Sequence, residues 1–206
     1  MYEEVKHPCI QHKLALIRDV GSGHKIFREL ATEITMFVCY EALKNIRLKD
    51  VDVETPLAVA KCQMIDEDIV VIPILRAGIG MLDAILSLIP SARVGFVGLE
   101  RDEETALPTT YYKKMPRQIR DGISIIVDPM LATGGSTIAA IRMLKEKGAE
   151  RILVVCIVTC PEGLKAVGDA YPDVHIYTAS IDPELNDKKY IVPGLGDAGD
   201  RLYGTI

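Results

Sequence analysis

Long apolar runs, a surplus of positive charge and a paired set of cysteines are what this chain lacks. Its longest apolar run, residues 69–75, is bounded by Asp68 and Arg76. That is far short of the ~20 residues a membrane-spanning helix needs. The start, MYEEVKHP, is charged and has no apolar core. It does not read as a secretion signal, so the cytoplasm is the expected compartment and no membrane partner is expected. Lys and Arg number 24 against 29 Asp and Glu, a net charge of -5. That balance argues against a surface that coats nucleic acid. The five cysteines, Cys9, Cys39, Cys62, Cys156 and Cys160, are odd in number and scattered. Four lie in or beside apolar segments, which suggests buried free thiols. Cys156 and Cys160 share a face of a predicted strand without the tight spacing of a zinc site.

What is present is a soluble globular composition, 49% hydrophobic and 26% charged, in a chain of 206 residues that suits one large domain, 1–206. Residues 123–143, ISIIVDPMLATGGSTIAAIRM, organise it. Ile123, Ile125, Ile126 and Val127 read as a buried strand, and Asp128 stands at its carboxyl end. A small, hydroxylated, glycine-rich turn follows, then an amphipathic helix with Ile138, Ile141 and Leu144 on one face and Gly148 closing it. Glycines let backbone N–H groups converge, the helix start adds partial positive charge, and Thr133, Ser136 and Thr137 add hydroxyls. Together these predict a phosphate cradle. The alternative is an ordinary strand-to-helix turn with Ser136 as N-cap.

Elsewhere the pattern alternates. Ser22-Gly23 leads into a long helix with Phe27, Leu30 and Ile34 along one face. Residues 51–63 alternate around Pro56 and read as an antiparallel arm outside the main sheet. From residue 69 onward, strands at 69–75, 92–99, 123–127, 152–159 and 175–181 alternate with helices, which predicts a mainly parallel α/β sheet. Residues 100–121 read as a long loop carrying Asp102-Glu103-Glu104, Tyr111-Tyr112-Lys113-Lys114 and Arg117. It is either solvated or a cover that excludes water from a charged reaction. Arg76, after the strand at 69–75, and Arg101, after that at 92–99, are candidates for holding an anion, although a strand-end arginine is often only a surface ion pair. The segment YIVPGLGDAGDRLY, 190–203, reads as too glycine-rich for a helix and too apolar for a disordered tail. Gly194, Gly196 and Gly199 would let backbone approach something small and flat, and a docked loop capped by Asp197 and Asp200 is the alternative. His7, His12 and Lys13 read as surface or subunit-interface residues.

VDPMLATGGS resembles the phosphoribosyl-diphosphate motif of the type I phosphoribosyltransferases. With PILRAG (73–78), TASID (178–182), PGLGDAGD (193–200) and the N-terminal HPCIQHKLALIRD, the chain is similar end to end to the uracil phosphoribosyltransferases. The resemblance implies a parallel sheet flanked by helices, with a β-hairpin arm (about 48–63), a flexible cover loop (about 100–121) and a C-terminal base-recognition hood (about 182–206). It implies transfer of 5-phosphoribose from phosphoribosyl diphosphate to N1 of uracil, giving UMP and diphosphate in pyrimidine salvage, with magnesium accompanying the diphosphate. It assigns Arg76, Arg101, Asp128 and Asp197 to catalysis. Phosphoribosyl diphosphate would be held by these four with Pro129, Met130, Leu131, Ala132, Thr133, Gly134, Gly135 and Ser136. Uracil would meet Ile191, Gly196, Asp197 and Ala198.

Related phosphoribosyltransferases generally carry two adjacent acids where this chain has Val127 and a single Asp128 before Pro129, which argues against direct carboxylate ligation of magnesium. Some members are activated by GTP, so GTP stands as a candidate effector. The arm and the broad helix before it suggest a homodimer or homotetramer. A regulator of the same fold that binds RNA would need a basic face beyond Lys113-Lys114 to Arg120. A P-loop kinase would need the lysine that TGGST lacks. The base-binding segments of purine and orotate phosphoribosyltransferases do not resemble PGLGDAGD.

Overall fold

The computed structural model describes residues 1–101 and 108–205. In chain order the elements are β1 (Tyr2–Glu4), α1 (Pro8–Arg18), α2 (His24–Ala42), β2 (Leu48–Glu54), β3 (Val59–Ile65), β4 (Ile69–Leu75) and α3 (Ile79–Leu88). Next come β5 (Arg93–Val94), β6 (Phe96–Arg101), β7 (Pro108–Lys114), a 3-10 turn (Arg117–Arg120), β8 (Ile123–Val127), β9 (Met130–Leu131) and α4 (Gly135–Glu146). The described fold closes with β10 (Arg151–Thr159), α5 (Pro161–Ala170), β11 (His175–Ile181), β12 (Glu184–Leu185), β13 (Ile191–Val192) and α6 (Ala198–Tyr203).

The main sheet runs β1-β11-β10-β8-β4-β6-β7, with β5 also on β4 and β9 also on β10. Every pairing in it is parallel except β6 with β7. The aliphatic runs ISIIV and IVVIPIL become strands because a parallel sheet covered on both faces needs apolar residues on both. All five residues of β8 are buried, as are six of seven in β4. One core, under α1, α2, α3 and α6, gathers Phe27, Ile34, Met81, Ile125 and Leu202. The other, under α4 and α5, gathers Ile72, Ile126, Ile141, Leu144 and Val167. The fold is therefore the expected mainly parallel sheet flanked by helices.

Several local expectations are corrected. The strand expected at 92–99 is broken into β5 and β6 around Gly95. A Cβ at Gly95 would stand 2.7 Å from the Ile72 Cδ1. Pro73, which lacks an N–H, lies between the parts of β4 that pair with β5 and with β6, so a proline is accommodated inside a sheet. Residues 108–120, expected as loop, form β7 antiparallel to β6 and then the 3-10 turn. Thr109, Thr110, Tyr111 and Tyr112 supply the strand-forming side chains there. The acidic run Asp102-Glu103-Glu104 lies outside the described residues. Residues 198–203, expected not to be helical, form α6, with Asp197 as N-cap and Gly204 at φ 66 closing it. The arm is borne out as β2 paired with β3 in a separate two-stranded sheet. Of the five thiols, Cys39, Cys156 and Cys160 are buried and Cys9 is exposed.

His7 caps α1, its Nδ1 accepting from the Cys9 N–H at 3.1 Å, and Lys13 pairs with Glu33. Ile72 lies fully buried in β4, whereas Val20 is 98% exposed. Ile72→Ala is expected to cost about 2–5 kcal/mol and Val20→Ala within about 0.5 kcal/mol, as read from denaturant midpoints at matched slopes.

Candidate functional site

The chain leaves β8 at Val127, and Asp128 turns it. The Asp128 N–H donates to Val155 O at 3.3 Å, and its Oδ1 accepts from the Met130 N–H at 3.3 Å. β9 then pairs with the end of β10, and the Thr159 hydroxyl donates to Leu131 O at 2.9 Å. The Cys160 thiol donates to Ala132 O at 3.2 Å. From below, Gly163 allows α5 to press against the loop, since a Cβ there would meet Ala132 O at 2.4 Å. Gly134 follows at φ 83, a backbone angle that favours glycine.

Gly134 is the N-cap of α4, and no side chain caps that helix. The expected alternative, Ser136 as the cap, is thereby excluded. The first amide of the turn to find a backbone acceptor is that of Ile138, on Gly134 O at 2.8 Å. Among the described residues the N–H groups of Gly134, Gly135, Ser136 and Thr137 meet no acceptor and are the donors of a helix start. With the helix dipole they form a cradle suited to a phosphate. Ser136 is exposed and Thr133 half-buried beside them, whereas Thr137 is buried at 2% exposure and belongs to the packing.

Asp128 stands at the mouth of this cradle. Burial pushes its carboxyl up to about 7, opposed by the Met130 N–H. Among the described residues no cluster of three or more His, Cys, Asp or Glu could hold a metal ion.

Arg76 follows the neighbouring strand β4, across a cis Leu75–Arg76 peptide. Its turn lies tight against β8, for a Cβ on Gly78 would sit 2.4 Å from Val127 O. Arg76 and Asp128 thus share one edge of the sheet. The Arg76 guanidinium is more than half exposed, and its contact with Asp200 is 3.5 Å long. Such a pair is worth about 0–1 kcal/mol, so it leaves the cation open to an anionic ligand. Arg101 ends β6, its backbone paired with Pro108. Its side chain lies outside the described residues.

The hood completes the edge. Ile191 pairs with Leu185 and buries its side chain in the core, so only its backbone faces the loop. Gly196 has φ 72, and the nearest atom to a Cβ there would be Arg201 Cδ at 3.7 Å. Asp197 caps α6 through its Oδ1, which accepts from the Asp200 N–H at 2.9 Å. Ala198 is buried, and a Cβ on Gly199 would lie 3.8 Å from the Arg76 Nη2. The Arg76 turn and the hood are therefore neighbours. Arg18, Asp182 and Arg201, to which the sequence alone gave no role, turn out to hold this loop. Arg18 and Asp182 are 164 positions apart, and no local pattern announces their pairing.

The sequence profile described as uracil phosphoribosyltransferase matches residues 4–205. A uracil phosphoribosyltransferase of Clostridium botulinum strain Hall is 54% identical over 98% of this chain and 97% of its own. Among solved structures, the AQ2163 protein of Aquifex aeolicus superposes with a TM-score of 0.94 at 39% identity, covering 98% of each chain. A hypoxanthine-guanine phosphoribosyltransferase of Bacillus anthracis shares the fold alone, with a TM-score of 0.54 at 13% identity over 77% of this chain and 80% of its own.

The raised Asp128 pKa has a measurable sign. Because the folded value lies above the unfolded one, ionising Asp128 weakens the unliganded fold as pH rises toward about 7. Sugar hydroxyls donating to the carboxylate favour its charged form. Binding of ribose 5-phosphate should therefore weaken as pH falls below about 7, approaching tenfold per pH unit from this group. Calorimetry across pH should show that component in the native protein and not in Asp128→Asn. An identical pH profile in the variant would remove Asp128 from the ligand.

Proposed function

The chain belongs to the uracil phosphoribosyltransferase family, and from that membership we propose how its own residues carry the reaction. The enzyme is a pentosyltransferase that moves 5-phosphoribose from phosphoribosyl diphosphate to N1 of uracil, yielding UMP and diphosphate. The C1–O bond to diphosphate breaks, the N1–C1 bond forms, and the N1 proton is released. The observation that carries the assignment of residues is the uncapped start of α4 directly beyond Asp128, on the same edge as Arg76 and the hood.

The 5-phosphate sits in the cradle of Met130, Leu131, Ala132, Thr133, Gly134, Gly135 and Ser136, entered past Pro129. Asp128 accepts from the ribose hydroxyls. The transition state separates a positively charged ribosyl carbon from a diphosphate, so fixed charge at the leaving group and positioning supply most of the rate. Arg76 and Arg101 supply that charge, each able to grip phosphate oxygens bidentately. Asp197 reaches the same ligand with the oxygen that does not cap α6. Asp128 is the single acid at the end of β8, which favours magnesium as an ion carried by the diphosphate. When bound, magnesium neutralises diphosphate charge.

Uracil offers acceptor, donor, acceptor along one edge. Backbone N–H and C=O groups from Gly196 to Ala198, with Ile191 beside them, match part of that pattern. The cytosine amino group would face a donor, at a cost of about 1–3 kcal/mol, or roughly tenfold to a hundredfold.

The whole chain acts as one catalytic domain in the cytoplasm, assembled as a homodimer or homotetramer through its arm. Leu48, Val53, Leu57, Val59 and Met64 stand exposed on that ribbon, which supports the assembly. GTP is the candidate effector. No described helix is long and apolar enough to cross a membrane.

Diphosphate release from phosphoribosyl diphosphate should require uracil and magnesium among a panel of uracil, cytosine, adenine, guanine, hypoxanthine and orotate. Turnover with another base and none with uracil would overturn the reading, and added GTP tests activation in the same assay. Arg76→Ala and Asp128→Asn should each lower kcat/KM on the order of a hundredfold, with melting temperatures changed far less.

A further inference from the structure

The base loop has little regular structure of its own, so something must fix its register. Both backbone polar groups of Gly194 are held: its N–H donates to Asp182 Oδ2 at 2.8 Å, and its C=O accepts from Arg18 Nη1 at 2.9 Å. The two side chains also grip each other, with Arg18 Nη1 on Asp182 Oδ2 and Arg18 Nη2 on Asp182 Oδ1, both at 2.7 Å. The Ser180 hydroxyl donates to Asp182 Oδ1 at 2.9 Å and accepts from Arg18 Nη2 at 3.0 Å. The Asp182 carboxylate thus takes four hydrogen bonds while 4% exposed. Its own N–H donates to Thr159 O at 2.8 Å, which ties it to the end of β10.

One residue further on, Leu195 O accepts from Arg201 Nη1 at 3.0 Å. The same guanidinium donates to Asp19 O at 2.6 Å and lies over the Phe27 ring at 4.4 Å. Gly194 and Leu195 are buried, whereas Gly196 and Asp197 are exposed. Gly194, at φ 60, admits no side chain, since a Cβ would stand 2.1 Å from Ile191 O. The clamp ends where the offered backbone begins.

We propose that Arg18 and Asp182, neither of which touches the base, are positioning residues that set the register of Gly196 to Ala198 and thereby the enzyme's affinity and selectivity for uracil. This rests on the assignment of residues 196–198 to the base. A bidentate pair anchored to a helix end and to the sheet fixes the loop within the few tenths of an ångström that donor-acceptor matching requires. Arg18→Lys would keep the charge and lose the fork.

The test separates positioning from folding. Removing one partner leaves a buried charge unpaired, so the double variant R18Q/D182N is the informative one. It should raise the uracil KM about tenfold or more, leave the phosphoribosyl diphosphate KM within about twofold, and erode discrimination against cytosine about tenfold. Arg18→Lys should not restore uracil affinity. Unchanged values, or equal rises in both KM values in a folded protein, would overturn the proposal. Ala198→Val serves as the parallel arm. If it raises the uracil KM and R18Q/D182N does not, the clamp fails and the base assignment stands. If Ala198→Val also leaves the uracil KM unchanged, the base assignment itself fails. Should the double variant not fold, Ser180→Ala removes one of the four bonds without touching charge, and the same split in KM decides.

Discussion

The parallel pairing of β8 between β4 and β10 is the constraint on which the molecule depends. Parallel strands must be joined by crossovers, so all three release their chains at the same edge. β4 delivers the Arg76 turn there, and β8 delivers Asp128 and the phosphate cradle. Beside them β10 carries Thr159, whose hydroxyl and carbonyl support the cradle and Asp182. Cores on both faces hold these strands so that the exits cannot drift. The site is made of loops, but its geometry is that of the sheet.

What this edge presents is more backbone than side-chain charge. The cradle offers amides at a helix start, and the hood offers amides and carbonyls around Gly196. The charged groups do different work: Arg76 is exposed and weakly paired, whereas Arg18 is committed to a buried carboxylate. An arginine that meets a ligand must stay available, and one that shapes a loop must be fully engaged.

What was legible in the sequence follows the same division. β4, β8 and β10 declared themselves through aliphatic runs, and the cradle through glycines and hydroxyls beside an acid, because those signals are local. β7 was hidden, since its strand-forming threonines and tyrosines sit in a polar stretch and pair antiparallel at the sheet margin. α6 was hidden by its glycines, although Asp197 was named as a turn cap and does cap it. The break at Gly95 depends on Ile72, a side chain on another strand. The Arg18–Asp182 pair was invisible for the strongest reason, as neither residue's neighbours in sequence reveal its partner in space. Family resemblance named Arg76, Asp128 and Gly196, to which the proposed mechanism gives direct contact with ligand, and covered Arg18 and Asp182 only as members of matching motifs, without a role for either.

Sequence distance separates the two halves of the site in another way. The cradle is one run of consecutive residues, 128–137, held by Thr159, Cys160 and Gly163, so it is complete once β10 and the start of α5 are in place. The hood is tied back across the whole molecule, Arg18 to Gly194 over 176 positions and Arg201 to Asp19 over 182. Contacts of such span form late, because their loop-closure entropy must be met by structure already in place. On the ribosome, where synthesis runs at about 5–20 residues per second, a nascent chain would own its phosphate cradle seconds before it owned a base site. The cradle residues thus need the chain only as far as the start of α5, while the hood needs the finished fold.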